Sequence, residues 1–342
     1  HPEHRFIFFF YIPYSPEFIF SSNIEPVVLF PPARHPFLWF AWFEFSVRKI
    51  LKKYKPRLFL STDGFLSLGA HVPSLPVIHD INFVHRPKDL PLMVRKYYNY
   101  YFPKYAKKAS RIATVSNYSK NDISKSFIID PGKIDVVYNG ANEMYRPVSE
   151  RDKQLTKRKY SDGADYFVFI GAFHPRKNLV GLLKAYEMFR SESQKPVKLV
   201  LVGAKMSGTA EMYKFHSSMK FRDDVVFTGR LQPGDLCMVL GSALSLVFVP
   251  FFEGFGIPVV EAMYCNVPVI ASNVTSLPEV GGDACLYADP HQPSDIKKAM
   301  TRIAHDETLR KDLIKKANLR RQKFSWDNTA KALWQSVEKT LE

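Results

Sequence analysis

"FVPFFEGFGIPVVEAMYCNVPVIAS" runs from Phe248 to Ser272. An apolar run ends at Pro250, Gly254 and Gly256 permit a tight turn with close backbone approach, and Pro258 suits the first helical position. "VPVIAS" then reads as the next strand, so the stretch is one unit of a parallel α/β sheet. The start of the helix offers free N–H groups and the positive end of its dipole, which together hold phosphate without a dedicated side chain. Two carboxylates bracket the turn: Glu253 within it, and Glu261 in the first helical turn or so. Carboxylates accept paired hydrogen bonds and suit vicinal hydroxyls. Glu253 is therefore expected to hold a sugar ring and Glu261 a ribose, and a nucleotide sugar carries both, joined by a pyrophosphate. For Glu261 alone, complementarity to the helix dipole is the simpler alternative.

Outward from this stretch, short apolar, β-rich runs recur with helical stretches between most of them. "RFIFFFYI", "EPVVLF", "RLFLST", "LPVIHD", "RIATVS" and "IDVVYNG" form a first set, and "YFVFIGA", "VKLVLVG", "DVVFTG", "LSLVFVP", "VPVIAS" and "ACLYAD" a second. Runs apolar on both faces are buried parallel strands, and alternation with helices gives doubly wound sheets. The expected class is α/β, with two Rossmann-like domains facing a cleft. Polar "SERDKQLTKRKYSDGAD" (Ser149 to Asp165) is read as the linker, giving an N-terminal domain over 1–150 and a C-terminal domain over 160–323. The helical stretch 324–342 is expected to return to the first domain. The opening "HPEHRFIFFF" reads as the tail of a helix-to-strand loop, so about 30 further residues, one strand and one helix, are expected upstream.

A second cationic piece follows the strand "YFVFIG". Its turn carries Arg176 and Lys177, and Asn178 reads as the N-cap of the next helix. Arginine supplies a bidentate fork and lysine a point charge, and the C-terminal end of a strand faces the crevice where open α/β sheets bind ligands.

Composition narrows the class. The 342 residues suit two domains, and the formal charge of +15 with a pI near 9.5 favours an acidic partner. The excess is shared, +8 up to Glu150 and +7 beyond, so neither half is a basic tail. Nucleic acid is not expected, since no RNA- or DNA-binding signature accompanies the charge. Cys237, Cys265 and Cys285 have neither disulfide nor zinc spacing, which points to a reducing compartment. Pro13, Pro16 and Glu17 break the aromatic N-terminal run and exclude a membrane span there. Asp223-Asp224 and the Asp162/Asp165 pair lack a preceding buried strand, and no metal is expected. Of His79-Asp80, strand neighbours, only one can face a cleft. "VRKYYNYYFPKYAKKASR" mixes aromatics and cations as interfacial helices do, and equally fits a surface helix with lysines in solvent.

Taken together these segments resemble the group 1 glycosyltransferases (glycosyltransferase family 4), of the two-domain GT-B fold. The resemblance covers nearly the whole chain, from "LPVIHDINFVHRPKD" through "ATVSNYSKNDI", "KIDVVYNGANEMYRP", "IGAFHPRKN", "VVFTGRL" and "EGFGIPVVEAM" to "SLPEVGGDA" and "FSWDNTA". The E-x7-E pair at Glu253 and Glu261 is its most specific mark. The resemblance implies a retaining, metal-independent hexosyltransferase that needs no cofactor and takes a nucleotide diphosphate sugar, GDP-mannose in preference. It implies a carbohydrate or lipid-linked acceptor in polysaccharide or glycolipid synthesis, and a cytoplasmic protein, with peripheral contact at the anionic inner membrane face as a further option. By resemblance Arg176 and Lys177 contact the donor diphosphate. Gly171 and the Gly254-Phe255-Gly256 backbone line the donor site, Glu253 binds the sugar, Glu261 the ribose, and His79 stands beside the donor sugar. Two departures matter. Ala172 follows Gly171 where some members have arginine, and the family's glycine-containing loop after its first strand is absent. The alternative is thus a non-catalytic or inactive nucleotide-sugar-binding GT-B protein. A GT-B epimerase is disfavoured by the E-x7-E arrangement.

Overall fold

The structure is a computed structural model and describes residues 1–206 and 208–342. Two compact units are present. The first comprises His1–Thr114, Lys120–Asp135 and Leu333–Glu342, and the second Val115–Ser119 and Val136–Ala332.

The second unit contains a six-stranded, all-parallel sheet. Its strands are β7 (Tyr166–Ile170), β8 (Lys198–Val202), β9 (Val225–Gly229), β10 (Ser245–Phe248), β11 (Val269–Ser272) and β12 (Cys285–Ala288), ordered β12-β11-β10-β7-β8-β9. Every residue of β7, β10 and β11 is buried, as expected of strands covered on both faces. The chain starts at β7, winds outward through β8 and β9, then returns beside β7 as β10 and winds the other way. The order therefore reverses between β7 and β10, and a doubly wound sheet opens a crevice at the C-terminal ends of such a strand pair. Two segments emerge there: Gly171–Asn178 after β7 and Val249–Gly256 after β10.

The first unit is less continuous than expected. β1 (Phe6–Phe10) pairs with β2 (Ile24–Val28), β3 (Phe59–Ser61) with β4 (Ser74–Pro76), and β5 (Ile112–Thr114) with β6 (Ile134–Val136). A single bridge, Val77 to Ala113, joins the last two pairs. β1 and β3 do not pair; both line a cavity of about 930 Å3, across which the Phe9 and Phe59 rings meet at 6.3 Å. All twelve apolar runs are strands, but the six of this unit are short and do not form one sheet.

Two local expectations are corrected. The stretch read as a linker contains a helix, Glu150–Ser161, capped by Ser149, whose Oγ accepts from Asp152 N at 3.2 Å. It is so polar that it carries no apolar stripe, and a helix without one is indistinguishable from a linker by periodicity. Asn178 precedes the helix Leu179–Glu192, but its side chain does not cap it. Instead Nδ2 donates to Val249 O at 3.0 Å and Pro290 O at 2.7 Å. Carbonyls distant in sequence outbid a local cap here, since leaving a buried acceptor unpaired costs free energy.

Candidate active site

Glu253 is the centre of the site. Its Oε1 accepts from Arg176 Nη1 at 2.7 Å and from Lys177 Nζ, so one buried carboxylate oxygen is shared by two cations. Arg176 Nη1 also donates to Phe252 O at 2.7 Å. The Lys177 ammonium lies 4.9 Å from the Phe248 ring centroid, over the end of β10. The two crevice segments are stitched by backbone as well, Phe251 N donating to Arg176 O at 2.9 Å. The three charges sum to one positive, held at the point where the strand order reverses.

The loop beneath them is fixed from several sides. Glu253 N donates to Thr275 Oγ1 at 3.2 Å, Ser276 Oγ donates to Glu253 O and Phe255 O, and Ser116 Oγ and Ser119 Oγ donate to Gly254 O. Phe255 is buried against Phe324 and Tyr138. Gly256 sits at the N-cap of the helix Ile257–Tyr264 with φ +100°, and a Cβ there would lie 2.4 Å from Leu277 Cδ2. Only glycine satisfies both constraints. Pro258 is thus the second helical residue, not the first.

Glu261 lies in the second turn of this helix, which has no acidic residue in its first turn. A simple helix-dipole role is therefore ruled out. Its carboxyl lines a cavity of about 780 Å3 with Tyr145, Gly171, Ala172, Gly203 and Arg230. The floor is glycine by necessity, since a Cβ on Gly203 would lie 1.9 Å from Gly171 O. Burial pushes the Glu261 carboxyl up to about 7, against a hydrogen bond from Tyr145 that lowers it; the Tyr145 hydroxyl is correspondingly raised, by burial first and by Glu261 second.

The structure thus brings Arg176, Lys177, Glu253, Gly254, Phe255 and Gly256 together, and places Gly171 with Glu261 along the cavity. His79 belongs to the first unit, where it is exposed, lines the cavity between β1 and β3, and has Nε2 3.0 Å from Thr62 O. A carbonyl at that distance requires the proton on Nε2. Its neighbour Asp80 accepts from Asn82 N at 2.9 Å. The carboxylates set aside as metal ligands are ion-paired: Asp224 with Arg190, Asp162 with Lys198, Asp165 with Lys157. Sequence reading missed Tyr145, Thr275, Ser276, Ser116 and Ser119. All lie outside the segments that follow β7 and β10 and reach the site only through the tertiary fold.

A family model described as "Glycosyl transferases group 1" matches residues 150–320, and one described as "Glycosyltransferase Family 4" matches residues 4–143. The O-antigen chain mannosyltransferase B of Escherichia coli is 30% identical over 256 residues, 75% of this chain and 67% of that protein. The O-antigen chain mannosyltransferase RfbU of Salmonella typhimurium is 26% identical over 294 residues, 86% and 77% of the two chains. The match to the serotype-specific mannosyltransferase WbdA of Escherichia coli is 34% over 184 residues, and spans 22% of that longer protein. Among solved structures, Anabaena Alr3699/HepE in complex with UDP and glucose superposes with a TM-score of 0.77 at 16% identity, over 97% of this chain and 91% of that one. The fold is that of the GT-B glycosyltransferases. The chain belongs to the group 1 glycosyltransferases.

The raised Glu261 carboxyl carries a stability consequence. Its folded value exceeds its unfolded value, so it stabilises the fold fully below pH 4.5, and that contribution is lost as pH rises through about 7. The stability of Glu261→Gln relative to the wild type should therefore rise between pH 4.5 and 7 and level off above. A shift of this size corresponds to a change of roughly 3 kcal/mol across that window. Urea unfolding of both proteins at a series of pH values measures it, and a pH-independent difference would contradict the assignment.

Proposed function

We propose that this glycosyltransferase is a retaining mannosyltransferase that takes its sugar from a nucleotide diphosphate donor, GDP-mannose in preference, and passes it to a carbohydrate acceptor in polysaccharide or glycolipid synthesis. The observation that carries the donor reading is the single carboxylate shared by Arg176 and Lys177 at the strand-order reversal, beside a cavity lined by a second carboxylate. The two relatives named as O-antigen chain mannosyltransferases support mannose and a polysaccharide acceptor. The retaining outcome rests on the family resemblance.

In this reading Glu253 holds the two cations in place until a donor arrives. The diphosphate then takes over Arg176 and Lys177, and the helix end at Gly256 and Ile257 adds its N–H groups and dipole. Glu253, released from the cations, turns its carboxylate to the sugar hydroxyls. As the bond between the anomeric carbon and the diphosphate breaks, negative charge grows on the leaving phosphate, where these cations stand preorganised. Positive character grows on the anomeric carbon, and a nearby carboxylate favours it. The acceptor oxygen bonds to that carbon and its proton leaves with the diphosphate or to solvent. Two side-chain cations do the neutralising work for which other transferases recruit a divalent ion. Glu261 receives the ribose hydroxyls as a carboxylate, and His79 is assigned to the sugar by resemblance.

The reading is tested by offering the protein GDP-mannose, GDP-fucose, UDP-glucose and UDP-galactose with mannose-terminated oligosaccharides, in EDTA, and determining the product's anomeric configuration. Transfer from GDP-mannose, unaffected by EDTA and giving an α-mannoside from the α-linked donor, is expected. Donor binding with neither transfer nor hydrolysis would favour a non-catalytic nucleotide-sugar binder.

The variants should separate the roles. Arg176→Ala and Lys177→Ala should each weaken binding of the nucleoside diphosphate and lower turnover by roughly 10²-fold, the usual cost of one stabilising donor. Glu253→Gln should lower turnover comparably, yet bind nucleoside diphosphate at least as tightly as the wild type, because the anion then takes the place of the negative charge the two cations shared. Glu261→Ala should chiefly raise the donor Michaelis constant, the signature of lost uniform binding. Weakened diphosphate binding in Glu253→Gln with unchanged turnover would reverse the assignment.

A further inference from the structure

Among the described residues one group of three metal-ligating side chains converges in the first unit: His1, Glu3 and His4, each offering one ligand atom, with those atoms within 4.8 Å of one another. Glu3 Oε1 lies 3.0 Å from His1 Nδ1 and 3.5 Å from His4 Nε2. Imidazole nitrogen and carboxylate oxygen bind zinc at about 2.0–2.2 Å, so neighbouring ligand atoms around such an ion stand roughly 3–3.5 Å apart. Two of the three edges already have that length. The third, between the imidazoles, closes by rotation of side chains that are exposed at His1 and half-buried at His4.

The backbone that carries the three is pinned. Pro2 suits the second position of a turn, and His4 N reaches back to His1 O at 3.4 Å. Asn23, just before β2, donates from Nδ2 to His1 O at 3.0 Å and to His4 O at 2.8 Å, so one amide bridges both ends of the turn. Ser21 Oγ orients that amide by donating to its Oδ1 at 2.6 Å, and Asn23 O accepts from Phe6 N at 2.9 Å at the start of β1. Trp334, on the helix Trp326–Leu341, walls the cluster on one side. The His1 ring stacks on it at 3.6 Å with 16° between the planes, and the His4 ring lies 5.1 Å away. Trp334 Nε1 donates to Glu338 Oε1 at 3.0 Å, one turn along the helix. The ligands come from one short window, but residues distant in sequence set their arrangement. An imidazole gains positive character on binding a metal, and the face of an indole favours that charge.

We propose that His1, Glu3 and His4 form a site for one divalent transition-metal ion, zinc by the chemistry of its ligands, and that the ion fastens the chain ahead of β1 against the C-terminal helix. Two imidazoles and one carboxylate suit zinc, whereas magnesium and calcium take oxygen ligands. The role is structural: an ion that binds the folded arrangement and not the unfolded chain stabilises the fold by mass action. The proposal does not rest on the donor reading above, which gives these residues no part.

Calorimetric titration of the metal-free full chain with Zn²⁺, alone and in excess Mg²⁺, tests it. Zn²⁺ should bind saturably, and Mg²⁺ should not compete. Glu3→Gln, a change at an exposed position, should keep the metal-free thermal melt. Glu3→Gln and His4→Ala should each weaken Zn²⁺ binding by about tenfold or more, since losing even an outer-shell partner of a ligand costs about 10–100-fold. Zn²⁺ should raise the melting midpoint of the wild type and leave that of either variant in place. Cu²⁺, which takes the same ligands, should quench Trp334, one of four tryptophans, and Trp334→Phe should remove that quench. Absence of saturable Zn²⁺ binding would overturn the proposal. So would undiminished binding in Glu3→Gln and His4→Ala, which would make the bound metal an adventitious ion only, or a Cu²⁺ quench that persists in Trp334→Phe.

Discussion

One shared oxygen organises the second unit's site: Glu253 Oε1, accepting at once from Arg176 and Lys177. A buried carboxylate paired with one cation must repay the desolvation of both, and breaking such a pair by removing one partner costs about 3–5 kcal/mol. With two cations, which are neighbours in the chain, the balance shifts, because their side chains repel one another and the carboxylate they share offsets that repulsion. The surrounding order serves that arrangement. β7 and β10 must be neighbours for the segments after them to meet. Gly256 must be glycine for the loop to close onto Leu277, and the Ser276, Ser116 and Ser119 hydroxyls pin the carbonyls on either side of the turn. The loop is thus rigid around a charge trio that an incoming anion can rearrange.

Most of the second unit was legible in the sequence because its physics is local. A parallel strand covered on both faces is a continuous apolar run, a glycine turn is visible as glycine, and cations after a strand fall at its C-terminal end wherever the strand pairs. What escaped depends on partners distant in sequence. Asn178 obeys the rule for a cap residue, yet its amide is claimed by Val249 and Pro290, which no local window contains. Tyr145 sits in a loop without periodicity and earns its place only by reaching Glu261. The helix at Glu150–Ser161 is too polar to show a stripe, although Ser149 followed by Asp152 was a usable capping signal. In the first unit the strands were visible one by one, but their pairing was not, since register and adjacency are long-range properties.

Glu253 and Glu261, alike in sequence, are set apart by their surroundings. Glu253 is buried with cations, and Glu261 is half-buried beside Tyr145, where burial pushes its carboxyl up to about 7. Two carboxylates eight residues apart thereby acquire different surroundings, which is the usual way a fold divides labour between like groups.

A crystal structure with an intact nucleotide diphosphate sugar bound tests the central claim most directly. The account predicts the diphosphate oxygens at about 3 Å from Arg176 and Lys177, with the Glu253 carboxylate parted from both and turned to the sugar hydroxyls. A diphosphate bound elsewhere, with Glu253 still shared by the two cations, would contradict it.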